Sequence, residues 1–87
     1  MEDQLVPSLA NGFRFQWEPA QKSHVLVYPE GMKVLSESAA EIITLIDGKS
    51  TIATIVAALE KKFPDADLKD DVHEFVSSAI DEGWIHV

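Results

Sequence analysis

The hydrophobic period of this chain changes once, close to residue 36, and that change limits the folds open to it. Between Phe13 and Leu35 the apolar residues alternate with polar ones or form short runs bounded by Pro and Gly, which is typical of strands joined by tight turns. After Ser36 they recur at helical spacing, which is typical of amphipathic helices. Strands followed by helices predict an α+β fold, with the helices packed on one face of a small sheet.

Three strands are predicted in the first half of the chain. Phe13, Phe15 and Trp17 fall on one side of the first strand, which ends before Pro19 because proline has no amide hydrogen for a ladder. The second strand covers roughly residues 23–28 and the third residues 32–35, with a Pro-Glu-Gly turn between them. We expect a three-stranded antiparallel β-meander with an unpaired edge on each outer strand.

Three helices are predicted in the second half. Ser36 and Asp67 suit the N-caps of the first and third helices, and Gly48 and Gly83 suit the positions that follow their C-terminal ends. Pro64 ends the second helix. A trio of short helices has the proportions of a helix-turn-helix, so a winged-helix-like architecture is predicted.

Residues 1–12 lack a sustained hydrophobic period and predict a flexible, loosely held N-terminal arm, which leaves residues 13–87 as a single domain. No apolar run in the sequence approaches the ~20 residues that a membrane-spanning helix needs. The first residues are acidic and lack the apolar stretch of a secretory signal. The sequence therefore predicts a cytoplasmic protein that does not act at a membrane.

Catalysis and cofactor binding are not expected. The chain has no cysteine, which excludes a thiolate nucleophile, and no Gly-x-Ser-x-Gly elbow for a serine nucleophile. Asp70, His73 and Glu74 share one face of the third helix, but no other segment offers matching ligands for a metal. We predict a protein that is not an enzyme and holds neither a metal nor another cofactor.

Charge weighs against nucleic acid as a partner. The formal net charge is −8, and the third helix, the reader in a DNA-binding helix-turn-helix, carries Asp70, Asp71 and Glu74. Phosphate contacts dominate nucleic-acid affinity, so such a helix repels the duplex. A winged-helix DNA-binding transcription factor stays as the alternative function. It predicts binding that falls steeply with salt, unlike strand addition.

The edge of the third strand is a candidate for peptide binding. Residues 32–35 contain one lysine and no internal proline, although natural proteins usually protect an edge with such residues. An extended peptide could add there as a fourth strand, with its side chains in a groove against the third helix. The alternative is that the N-terminal arm covers this edge, and the sequence does not separate the two.

Several segments together resemble one family, the PqqD peptide chaperones of pyrroloquinoline quinone (PQQ) biosynthesis. The resemblance covers residues 13–86 and is carried by the strings FRFQWEPAQ (13–21), YPEGM (28–32), Leu35 with Ser38-Ala39, Ile46-Asp47-Gly48, Phe63-Pro64, Asp71-Val72 with Phe75, and Gly83-Trp84-Ile85. The Tyr-Pro-Glu-Gly-Met turn and the closing Gly-Trp-Ile are the most specific of them.

The resemblance implies a RiPP recognition element without catalysis of its own. Such a protein would bind the precursor peptide PqqA by strand addition and present it to the radical SAM enzyme PqqE, which cross-links a Glu and a Tyr side chain of the peptide. It also implies the residues that would bind the peptide: Lys33, Val34 and Leu35 on the third strand, and Val72, Phe75, Val76 and Ala79 along the third helix. Asp70, Asp71 and Glu74 are expected to steer a partner by their charge.

Overall fold

Residues 2–87 are described by the computed structural model of the chain and contain five strands and three helices. The elements are β1 (Ser8–Leu9), β2 (Arg14–Glu18), β3 (Ser23–Tyr28), β4 (Gly31–Val34), α1 (Glu37–Thr44), α2 (Ile52–Lys62), α3 (Lys69–Asp81) and β5 (Ile85–His86). Strands β2, β3 and β4 form an antiparallel sheet in that order. The predicted α+β order, a three-stranded meander followed by three helices, is confirmed.

Two of the helices begin with side-chain caps. The Ser36 hydroxyl accepts a hydrogen bond from the Ala39 amide before α1, and the Thr51 hydroxyl accepts one from the Thr54 amide before α2. The predicted cap at Asp67 is wrong. Helix α3 begins after Leu68, whose amide donates to the Glu60 carboxylate at 3.0 Å, so a side chain of α2 holds the start of α3 instead.

Within residues 2–87, the core contains two adjoining hydrophobic clusters. One lies between the helices and contains Ile42, Ile52, Ile55, Val56, Leu59, Val72 and Val76. The other lies between the sheet and α1 and contains Leu26, Leu35, Ala39 and Ile43. Ile46 and Phe75 pack against both clusters, so these two side chains join the sheet to the helices.

The segment before β2 packs on the helices, which differs from the loosely held arm that the sequence predicts. Strand β1 pairs with β5 in antiparallel register, and Pro7 is buried. The carbonyl oxygens of Leu5 and Asp3 each accept a hydrogen bond of 2.9 Å from the amides of Ile52 and Ala53. The first turn of a helix has amides without intrahelical acceptors, and the arm supplies two of the acceptors for α2.

None of the helices within residues 2–87 combines the length and the apolar character required to span a bilayer.

Candidate functional site

Strand β4 has one strand neighbour within the described part of the chain and leaves its other edge open. Strand β1 pairs with β5 and not with β4, so the arm does not extend the meander at this edge. The Leu35 amide donates to the His24 carbonyl oxygen at 2.9 Å, and Lys33 stands opposite Leu26. Backbone groups of an antiparallel strand alternate in direction, so those of Met32 and Val34 point to the open edge.

This alternation separates the three β4 residues that the sequence predicts for peptide binding. Val34 has outward backbone groups and a side chain that is 48% exposed. Lys33 turns its backbone toward β3, and Leu35 does the same while its side chain, 6% exposed, belongs to the core. The expectation for Leu35 is therefore corrected. Met32, which is 44% exposed, has outward backbone groups instead. The alternation of backbone direction along β4 would have identified Met32 if the pairing of β4 with β3 had been known.

The Lys33 side chain links the edge strand to the end of α3. Lys33 lies on the face of the sheet that carries Leu26, which is the face toward the helices. Its ammonium nitrogen lies 5.1 Å from the centroid of the Trp84 ring, within the range of a cation–π interaction. Trp84 itself packs against the sheet-side cluster of the core. The side chain of Lys33 thus joins the edge strand to the C-terminal end of α3.

Two of the four predicted groove residues on α3, Val76 and Ala79, are not available to a ligand. Val72, Val76 and Ala79 are buried in the core. They face inward because α3 needs an apolar stripe to pack against α2, and the same spacing that suggested a groove produces that stripe. Phe75 is only partly buried, and both Phe75 and Val72 line the surface cavity described next. This corrects the predicted roles of Val76 and Ala79 as side chains that line a peptide groove.

A cavity of about 580 Å³ opens where the three helices converge, and we call it the helix-end pocket. It lies between the N-terminal turns of α1 and α3 and the C-terminal end of α2. Its lining residues are Ser36, Glu37, Ser38, Ala39, Glu41, Ile42, Leu59, Phe63, Ala66, Leu68, Asp71, Val72 and Phe75. Ser36, two residues after the end of β4, is one of these lining residues, so the pocket lies near the C-terminal end of the edge strand.

The three carboxylates predicted to steer a partner are all exposed on α3. Asp70 and Asp71 lie in its first turn, where a negative charge interacts favourably with the helix dipole, and Glu74 lies one turn further. None of the three forms an ion pair with a residue of the 2–87 range. Their charge is therefore directed at solvent, which disfavours duplex DNA at this helix.

His73, which the sequence analysis considered beside Asp70 and Glu74 as a metal ligand, has another contact. Its Nε2 atom is hydrogen-bonded to the Asp3 carboxylate, and the Lys69 ammonium lies 3.4 Å from the other oxygen of Asp3. The hydrogen bond from His73, followed by the charge of Lys69, lowers the pKa of Asp3 below its ordinary value of 3.8. No local pattern in the sequence predicts this contact, because 70 positions separate the two residues.

Comparison with known proteins places this arrangement in a family. The family model described as coenzyme PQQ synthesis protein D (PqqD) matches residues 23–85. A PqqA binding protein of Kluyvera intermedia is 52% identical over 86 residues, which cover 98% of this chain and 94% of the relative. A PqqA binding protein of Azotobacter vinelandii is 53% identical over 83 residues, which cover 94% of this chain and 90% of the relative.

A solved structure shares the fold over nearly the whole length. It is the solution NMR structure of the PqqD truncation of Methylobacterium extorquens PqqCD, described as a functional, stand-alone RiPP recognition element. The two structures superpose with a TM-score of 0.81 at 25% sequence identity, and the match covers 99% of this chain and 94% of the other. The meander and the three helices are thus common to both proteins.

Proposed function

The chain belongs to the PqqD family, and from that membership we propose that it binds the precursor peptide PqqA and presents it to the radical SAM enzyme PqqE. The names of its relatives support the first half of this proposal, since those proteins are described as PqqA binding proteins. In this role the protein is an adaptor without chemistry of its own. It holds the peptide extended while the enzyme joins a Glu and a Tyr side chain of the peptide.

The observation that carries the proposal is the open edge of β4. Met32 and Val34 each direct one amide hydrogen and one carbonyl oxygen away from β3. An extended peptide that pairs with these groups adds a fourth strand, which is a common mode of peptide recognition. The main-chain hydrogen bonds supply affinity for any extended segment, and side-chain pockets beside the strand supply the choice of sequence.

The opposite edge of the meander is a weaker candidate. By the same alternation, Phe15 and Trp17 of β2 direct their backbone groups outward, but Pro19 follows this strand closely and limits a longer ladder. The chain passes from β4 through Leu35 to Ser36 and Glu37, and both of these residues line the helix-end pocket. A peptide that pairs with β4 would therefore lie close to a cavity that can admit a side chain.

The variant Val34→Pro tests the site. It removes one outward amide and leaves the hydrogen bonds of Lys33 and Leu35 to β3 in place, and proline is tolerated where the lost amide faces solvent. We expect PqqA to bind this variant about tenfold or more weakly, since a ladder bond is lost and the strand no longer matches an extended partner. Isothermal titration measures the affinity, and circular dichroism verifies that the helices persist.

The matched control is Trp17→Pro, which removes one outward amide at the edge of β2. We expect this variant to bind PqqA with nearly the affinity of the wild type. A folded Val34→Pro variant with unchanged affinity would exclude β4 as the docking edge. Loss of binding in Trp17→Pro alone would move the peptide to β2.

A further inference from the structure

The helix-end pocket has the size and lining of a binding site for a side chain. Its volume of about 580 Å³ lies within the ~300–1,000 Å³ range of ligand pockets. Ile42, Leu59, Val72 and Phe75 give it an apolar floor. A large apolar side chain placed there would move from water onto this apolar floor, which is favourable in proportion to the apolar area buried.

The rim of the pocket is acidic, and one of its three carboxylates is already neutralised. Glu41 of α1 is paired with Lys62 of α2, with 2.7 Å between the carboxylate oxygen and the ammonium nitrogen. Glu37 and Asp71 line the same pocket from the first turns of α1 and α3, and neither forms an ion pair with another described residue. The helix dipoles favour acidic residues at both positions, but the dipoles do not supply a cationic partner.

We propose that the helix-end pocket takes an apolar side chain of the bound peptide and that Glu37 and Asp71 select a lysine or arginine adjacent to that side chain. The inference rests on the proposed function, because it assigns a specificity site to the same peptide. The peptide strand on β4 supplies affinity without regard to sequence. The pocket then distinguishes a segment with an apolar residue beside a basic one from other extended segments.

The rim charge is tested with two charge reversals on neighbouring residues. Asp71→Lys places a cation at the rim, whereas Asp70→Lys makes the same change one position away, outside the lining of the pocket. Both residues are exposed in the first turn of α3, so both variants lose the same interaction with the helix dipole. We expect Asp71→Lys to weaken PqqA binding by about fivefold or more and Asp70→Lys to have a clearly smaller effect.

The pocket itself is tested by filling it. Ala66 lines the pocket and is exposed, so Ala66→Phe occupies the cavity without disturbing the core. The control Ala57→Phe adds the same side chain to an exposed position of α2 that does not line the pocket. We expect only Ala66→Phe to weaken binding. A series of PqqA variants, in which each basic residue is replaced in turn by glutamate, provides the matching change in the peptide. One of these peptide variants should bind to the Asp71→Lys protein more tightly than it binds to the wild-type protein.

The outcomes separate this inference from the proposed function. If wild-type protein does not bind PqqA, the proposed function fails and the inference falls with it. If wild-type protein binds while the two charge reversals have equal effects, or while Ala66→Phe binds normally, the specificity site is excluded and the β4 edge stands alone. Restored binding between Asp71→Lys and one glutamate peptide supports the inference directly.

Discussion

Gly83 fixes the direction in which the chain leaves α3, and so it places Trp84 beside Lys33. Its φ of +84° lies in the left-handed region that glycine adopts without strain. The Gly83 amide donates to the Ile80 carbonyl oxygen at 3.0 Å, and the Trp84 amide donates to that of Ala79 at 2.9 Å. These two bonds form a Schellman motif, which satisfies carbonyl groups at the end of the helix.

We expect Gly83→Ala to lower the free energy of unfolding by about 1 kcal/mol. A left-handed backbone costs an L-residue roughly that amount, and a Cβ atom at this position meets no other atom within 4 Å, so no clash adds to it. Urea denaturation measures the change. Ser77→Ala, at an exposed position within α3, is the control and should leave stability almost unchanged. Equal stability of wild type and Gly83→Ala would contradict the prediction.

At the scale of elements, the arm stabilises the helices in two places. Its carbonyl groups cap the start of α2, and the Asp3 side chain contacts α3 through His73 and Lys69. The second contact depends on the charge of Asp3. The pKa of Asp3 is lower in the folded protein than its ordinary value of 3.8. The stabilisation is therefore fully present at pH values above 3.8, and it is lost as the pH falls through the lowered pKa of the folded protein.

The variant Asp3→Asn therefore has an effect that depends on pH. At pH ~7 we expect it to be less stable than the wild type, since the carboxylate is charged there and hydrogen-bonded to His73. The difference should shrink as the pH falls below ~4, where the wild-type carboxylate takes up a proton. Thermal unfolding over a pH series measures it, and Glu2→Gln is the control. A difference that persists or grows in acid would contradict the assignment.

The elements that the sequence predicted are those with a local signal. The alternation of apolar residues in β2 and their helical spacing in α1 to α3 are visible within a few residues, and the structure contains the predicted strand and helices. The packing of the arm on the helices was not predicted, because backbone hydrogen bonds such as the one between Leu5 and Ile52 do not depend on the identity of the side chains. Of the candidate site, the edge strand follows from its composition, whereas the burial of Leu35 and Val76 depends on the strand register and on the helix packing.

At the scale of the whole molecule, charge is the dominant surface property. The net charge of −8 is spread over many elements, and Asp70, Asp71 and Glu74 concentrate part of it on one exposed face of α3. Fields of this kind act chiefly on the rate of association and weaken with ionic strength. We propose that this face guides PqqA or PqqE toward the protein.

The triple variant Asp70→Asn, Asp71→Asn, Glu74→Gln tests whether this face of α3 attracts a partner by its charge. We expect it to fold normally, because exposed carboxylates contribute little to stability, and to associate more slowly with its partner at low salt. The difference should vanish near molar salt, where the Debye length is ~3 Å. The control Glu2→Gln, Glu18→Gln, Glu30→Gln removes three charges from positions outside α3. Stopped-flow rates that fall equally in both variants would assign the effect to net charge alone.

The pairing of β1 with β5 has a kinetic consequence. Ser8 and His86 are 78 positions apart, whereas the strands of the meander are joined by tight turns. The entropic cost of closing a loop rises by about 0.6 kcal/mol for each doubling of its length, so the pairing of β1 with β5 is among the last contacts to form during folding. We expect the arm to dock onto a nearly finished domain and to leave first, so the amides of Ile52 and Ala53 should exchange with solvent before the rest of α2 opens.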